Sequence, residues 1–181
     1  MIEKIHFLID VSSSMHNIID TVCENITQTI EPLSDNTLIS LSTFSTHVNV
    51  DYTETPKAMF CKPILSTAGK TTLYDSIVEI LSHEIMQMNP TGYEEKHVTV
   101  IIITDGINTH GTKTHNDANE YICKAKANNV TIKFLGANQD AIATAAILGV
   151  DEGDALTYSA DAFHVTEAFR GLSEVIVRRI Q

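Results

Sequence analysis

Two short, mainly apolar runs constrain this chain more than any other feature, because each is closed by an aspartate. Ile5-His6-Phe7-Leu8-Ile9 runs into Asp10, and Val98 to Ile103 runs into Thr104-Asp105-Gly106. A strand that is apolar on both faces has to be covered on both sides, as a central parallel strand between two layers of helices is. The segments between them supply such helices. From Met15, the residues Ile18, Ile19, Val22, Ile26 and Ile30 recur at helical spacing until Pro32. Leu73, Ile77, Ile80, Leu81, Ile85 and Met88 do the same before Asn89-Pro90-Thr91-Gly92. Further strands are predicted at Leu38–Phe44, Val48–Tyr52, Val130–Leu135 and Ala155–Ser159. Further helices are predicted at Asp117–Asn128, Gln139–Leu148 with Gly149 as its stop, and Phe163–Ile180. Only Ser45-Thr46-His47 separates the second and third strands, too short a link for a parallel crossover, so these two form a hairpin. Residues 53–70, with Pro56, Pro63 and Gly69, read as a long connection. The expected fold is α/β: a doubly wound, mostly parallel sheet with one antiparallel edge strand and helices on both faces.

Sites in such sheets lie where loops leave the carboxyl ends of strands, and Asp10 and Asp105 both occupy such ends. In an extended loop, residues two apart point the same way. Asp10-Val11-Ser12-Ser13-Ser14 would therefore turn one carboxylate and two hydroxyls toward a common point, an all-oxygen cup for a hard cation such as Mg²⁺ or Mn²⁺. Taken alone, the same residues also suit a strand end followed by a helix N-cap. Two later stretches bear on the choice: Gly69-Lys70-Thr71-Thr72-Leu73-Tyr74-Asp75 sets a threonine just before a helix, and Thr104-Asp105-Gly106 follows the second apolar run.

The set DxSxS, GxTxLxD and TDG, in that order, resembles the von Willebrand factor A domain family and its metal-ion-dependent adhesion site (MIDAS). The resemblance covers nearly the whole chain, read as a single domain over residues 1–181. It implies a Rossmann-like sheet of strand order 3-2-1-4-5-6 and a metal site formed by Asp10, Ser12, Ser14, Thr71 and Asp105. It further implies that Ser12, Ser14 and Thr71 touch the ion directly while Asp10 and Asp105 act through water. Three hydroxyls and two carboxylates leave much of a cation's charge uncancelled, and Mg²⁺, with Mn²⁺ or Ca²⁺ as alternatives, keeps positions open for outside oxygens. The resemblance thus implies a non-enzymatic, metal-dependent protein-binding module that takes an Asp or Glu carboxylate from a protein partner. The alternative is a metal-assisted phosphohydrolase or a related Mg²⁺-dependent enzyme.

Composition narrows the partners. With 12 basic and 23 acidic residues the formal charge is −11, which argues against a nucleic-acid backbone as the main ligand. Cys23, Cys61 and Cys123 are odd in number and widely spaced, as in a reducing compartment. No signal-peptide pattern and no apolar run near the ~20 residues of a membrane helix is present, so a cytoplasmic protein without membrane contact is expected. Competing motifs fail on spacing. Gly69-Lys70-Thr71 resembles the tail of a phosphate-binding loop, but Ile64 stands where glycine is needed, and no GxGxxG follows a strand. An aspartate phosphatase would carry a second Asp where this chain has Ser12. His110, His115 and Cys123 match no common zinc spacing, and Asp151, Glu152 and Asp154 read as a solvated acidic loop. Arg178 and Arg179 fall in the last turn of the final helix, where they would complement its dipole.

Overall fold

The computed structural model describes residues 2–88, 96–106, 108–137 and 141–180. Its strands are β1 (Ile2–Asp10), β2 (Leu38–Phe44), β3 (Val48–Pro56), β4 (Lys96–Thr104), β5 (Val130–Ala137) and β6 (Ala155–Tyr158). Its α-helices are α1 (Ile19–Ile30), α2 (Leu73–Gln87), α3 (His115–Ala127), α4 (Ala141–Leu148) and α5 (Ala162–Ile180). The strands form one sheet in the order β3-β2-β1-β4-β5-β6, parallel throughout except for β3. This is the expected doubly wound α/β arrangement with one antiparallel edge. β1 and β4 lie side by side in its middle, with Ile5 opposite Thr99 and Ile9 opposite Ile103.

Strand alternation sorts side chains into two apolar layers. Ile5, Phe7 and Ile9 of β1 join Val22, Ile26 and Ile30 of α1 and Val165, Phe169 and Leu172 of α5 on one side. Leu8 joins Leu73, Ile77, Ile80 and Leu81 of α2, Ile122 of α3 and Leu148 of α4 on the other. Between these layers the chain switches direction at β1, since β2 lies on one side of it and β4 on the other. The loops after β1 and β4 therefore open onto one crevice at the carboxyl edge of the sheet.

Three details differ from the sequence pattern, each for a local reason. The helix expected from Met15 begins as a 3-10 turn over Ser13–Asn17, and α1 proper starts at Ile19, with Ile18 (φ −123°, ψ −10°) breaking the register between them. β3 runs on past Tyr52 to Pro56, because irregular pairing near Leu41 and a positive φ of 43° at Glu54 shift its alternation in mid-strand. Pro56 is tolerated because β3 is an edge strand. α3 starts at His115, two residues ahead of expectation, because Thr114 and Asp117 form a reciprocal capping box. His115 is thus a first-turn helix residue. The proposed helix stop at Asn89–Gly92, the first residues of the Gln139–Leu148 prediction, and the side chains of Arg178 and Arg179 lie outside the described residues.

Candidate functional site

β1 delivers Asp10 to the crevice on the same face as Leu8, and the side chain is fully buried there. Its two oxygens are held separately: Oδ1 accepts the Ser12 backbone N–H at 2.7 Å, and Oδ2 accepts the Thr104 hydroxyl at 2.7 Å. The first bond bends the chain after β1 so that Ser12 and Ser14 come together, with their Oγ atoms 3.1 Å apart. Ser14 then donates its hydroxyl proton to Asp105 Oδ1 at 2.7 Å. Asp10, Ser12, Ser14 and Asp105 are therefore linked in one run from the buried sheet edge to an exposed rim at Ser14.

Thr71 reaches the same place from a different direction. Residues 60–72 form no regular element, and Gly69 is pinned in the left-handed region (φ 83°) against Thr46 while its carbonyl accepts from the Ser13 N–H and hydroxyl at 3.3 Å. With no strand running into it, Gly69-Lys70-Thr71 lacks the geometry of a phosphate-binding loop. The Thr71 backbone N–H donates to Thr109 Oγ1 at 3.0 Å, and its carbonyl accepts from the Thr109 and His110 N–H groups at 2.9 and 3.1 Å. Its own hydroxyl lies 3.5 Å from the point where a side chain at Gly106 would begin. Glycine after Asp105 keeps a side chain from packing against that hydroxyl.

The charge balance here is one-sided. Burial pushes the Asp10 carboxyl up from its usual value; the Thr104 and Ser12 hydrogen bonds offset this in part, and the nearby Asp105 charge adds to it. Asp105 is likewise raised by burial, against the Ser14 hydrogen bond. Among the described residues neither carboxylate is ion-paired with a basic side chain. A cation would relieve both shifts at once. The donor chemistry fits one, because a serine that gives its proton to a carboxylate, as Ser14 does to Asp105, turns oxygen lone pairs outward, and one of them is left for a metal beside the bond from Ser12. Among the described residues no group of three or more His, Cys, Asp or Glu side chains is placed to hold an ion, so the oxygens gathered here are mainly neutral ones. His115 packs edge-on against Tyr74, 6.5 Å between ring centroids, and does not combine with Cys123.

Several residues that shape this crevice have roles the sequence alone did not show. Thr104 fixes Asp10, and Asn108 accepts the Tyr74 N–H at the start of α2 at 3.1 Å. Asp75, in the first turn of α2, accepts the Thr112 and Lys113 backbone N–H groups and the Thr112 hydroxyl, bonds that hold its carboxyl below the usual range despite partial burial. Gly111 (φ 112°) is required beside it, since a Cβ there would stand 2.0 Å from Asp75 Oδ2. Asp75 thus staples the loop after β4 to the start of α2. Only its place in GxTxLxD marked it.

A sequence model of the von Willebrand factor type A domain matches residues 4–171. No curated protein matches the chain by sequence. Among solved structures, proximal thread matrix protein 1 from the mussel byssus, solved with a zinc-occupied MIDAS motif, is similar at 16% identity and a TM-score of 0.69, over 97% of this chain and 48% of that one. The ArnB paralog VWA2 from Sulfolobus acidocaldarius is similar at 20% identity and 0.67, over 93% and 44%. A von Willebrand factor type A protein from Catenulispora acidiphila is similar at 17% and 0.67, over 95% and 42%. The chain spans less than half the length of these three structures, and at such identities the likeness is one of fold. Among the described residues no helix is long and apolar enough to cross a membrane.

Proposed function

We propose, from the premise that the chain belongs to the von Willebrand factor type A domain family, that residues 1–181 form one divalent-cation-dependent protein-binding domain. Domains of this family are typically adhesion or protein-interaction modules. The observation that carries the reading is the convergence of Asp10, Ser12, Ser14 and Asp105 in one hydrogen-bonded run, with the Thr71 hydroxyl beside it at Gly106. Ser12, Ser14 and Thr71 would hold Mg²⁺, or Mn²⁺ or Ca²⁺, through their hydroxyl oxygens, with Asp10 and Asp105 outside them through water. When bound, the ion supplies an electrophilic position for an oxygen from outside. The chain's own contribution is positional. Thr104 and the Ser12 N–H hold Asp10, Asp105 orients Ser14, and Thr109 and Asp75 fix the loop after β4. No carboxylate has to be displaced for a partner's Asp or Glu to enter, because Ser14 leaves the rim exposed. Free thiols at Cys23, Cys61 and Cys123 suit a reducing, cytoplasmic setting for this module.

An affinity pull-down from a cell extract, run once in Mg²⁺ and once in EDTA, tests the reading. Partners retained only in Mg²⁺, and lost with Asp105→Ala, are expected. Identical capture in both buffers would contradict it, and Mg²⁺-dependent phosphate release from model esters would favour the phosphohydrolase instead.

A further inference from the structure

Helices cover the Leu8 face of the sheet unevenly. α3 and α4 pack toward β5 and β6, so among the described helices α2 is the outermost one on the side of β2 and β3. A cavity of about 370 Å³ lies there, between β2, β3 and the second half of α2, and no residue of the proposed ion site lines it. Its volume falls in the range of small-molecule sites, roughly 300–1,000 Å³. Val50 of β3 and Met86 of α2, both exposed, join Ile80 as apolar walls.

The inner wall is polar and, with one exception, already satisfied. Glu84 places one oxygen on Lys4 and the other on His6. Because an ionised carboxylate only accepts, His6 Nδ1 carries the proton and Nε2 accepts from the Ser42 hydroxyl. Serine, imidazole and carboxylate are joined here as in a hydrolytic triad, but Ser42 is 0% exposed and does not line the cavity, so it is no nucleophile for a molecule bound there. The exception is Ser40, which does line it. Ser40 is 2% exposed; its oxygen accepts the Glu54 N–H at 2.9 Å, and among the described residues its hydroxyl proton goes to no acceptor. A buried donor with no acceptor is costly, and only the cavity is open to supply one. Charge narrows the choice further. Glu79, exposed at the cavity, and the formal charge of −11 disfavour an anion, while a cation would lose its water and meet only a Glu84 already engaged.

We propose that this cavity binds a small, uncharged, mainly apolar molecule whose carbonyl oxygen accepts the Ser40 hydroxyl proton. Val50, Ile80 and Met86 enclose the apolar body, and the paired ions behind them keep the inner wall rigid without attracting charge. The site is independent of the ion reading and is filled in EDTA as in Mg²⁺.

Acetophenone and ethylbenzene, alike in shape but only the first with a carbonyl, are the probes. Each is titrated in EDTA into the full chain, with the Val50 and Ile80 methyl groups followed by NMR. Both probes should shift these methyls, and Val50→Asp, a change at an exposed position, should weaken both. Ser40→Ala should weaken acetophenone roughly 3- to 10-fold, the worth of one net hydrogen bond, and leave ethylbenzene unchanged. In the wild type, the carbonyl stretch of bound acetophenone should lie below its frequency in hexane, a readout that needs no variant to fold. Methyl shifts with neither probe would overturn the proposal. So would an unshifted carbonyl stretch, or equal losses of both probes in Ser40→Ala.

Discussion

The two ends of β1 present polar side chains on the same face of the same strand and treat them in opposite ways. At the amino end, Lys4 and His6 are 1% and 3% exposed, and both meet Glu84 of α2, which is 0% exposed. Lys4 Nζ lies 2.8 Å from Glu84 Oε2, His6 Nδ1 lies 2.6 Å from Oε1, and His6 Nε2 lies 2.9 Å from the Ser42 hydroxyl. Glu54 adds a second carboxylate to Lys4 at 3.2 Å and reaches Lys96 at 2.9 Å. Burial alone would raise Glu84, but the His6 hydrogen bond and the Lys4 ammonium bring it down to about 2. At the carboxyl end, past Leu8, two carboxylates stand together, both are raised, and no cation among the described residues answers them. The lesson is one of completeness. The first cluster satisfies itself and reads as structure, whereas the second is short of positive charge and reads as a place for something from outside.

Breaking the complete cluster should have the largest effect. Glu84→Ala leaves a His6 nitrogen unpaired in the interior and the buried Lys4 ammonium with Glu54 alone, and should cost about 3–5 kcal/mol in urea unfolding. Asp105→Ala, by the same assay in chelator, should cost less than about 1 kcal/mol or add stability, because it removes one of two adjacent carboxylates. Similar losses from both would erase the contrast between the two ends.

Acid should act next most strongly, and with opposite sign at the two ends. Glu84 binds its proton at about 2 in the folded chain and near 4.5 unfolded, so its stabilisation is present above pH 4.5 and is lost as pH falls toward 2. Burial also lowers His6 from 6.5, which makes the folded state resist protonation and lose stability below that pH. Asp10 and Asp105 are raised from 3.8, so the folded state takes up their protons more readily and gains as pH falls through their range. Net stability should fall on acidification from neutral pH in the wild type. In Asp105→Asn the fall should be steeper, since part of the opposing gain is gone. Chemical denaturation at stepped pH in chelator checks both, and parallel curves for the two proteins would count against an unbalanced carboxylate pair.

A smaller effect is expected at the edge of the complete cluster. Ser42→Ala removes one hydrogen bond from His6 and should cost about 1 kcal/mol with no change in Mn²⁺ affinity. A loss of ion binding would show that the two ends of β1 are coupled.

The smallest expected change is in salt. With a formal charge of −11, long-range repulsion of an acidic partner is spread over the surface and screened beyond ~8 Å at physiological salt, whereas coordination acts at ~2 Å. Partner affinity should hold or tighten modestly from low to physiological salt. A steep fall would indicate ordinary charge attraction from a basic patch.

Much of this was legible in the sequence for definite reasons. The apolar runs before Asp10 and Asp105 marked β1 and β4 as central strands and the three-residue link at Ser45–His47 marked the antiparallel edge, because burial on both faces and short connections admit few topologies, whereas the full strand order came from the family resemblance. DxSxS, Thr71 and Asp105 pointed to residues that the fold does bring together, since loops at strand ends converge at the switch point. Lys4, His6 and Glu84 were not legible as a cluster, because a buried ionic group on an apolar strand becomes readable only when its partner, 80 positions away, is placed beside it. Thr104 and Asp75 stood inside the TDG and GxTxLxD strings, but what each holds escaped for a similar reason, because each acts through a distant neighbour. The break at Ile18 and the bulge near Leu41 shift register within a continuous apolar pattern, which periodicity alone cannot show.

The central claim is that the carboxyl end of β1 is completed by a cation. Crystals grown in Mn²⁺, with anomalous scattering measured for the wild type and for Asp105→Ala, test it most directly. The account predicts one octahedral Mn²⁺ bounded by the Ser12, Ser14 and Thr71 hydroxyls in the wild type, and no ion in the variant, whose fold is otherwise unchanged. An empty crevice in the wild type, or an ion in tetrahedral geometry on other ligands, would contradict it.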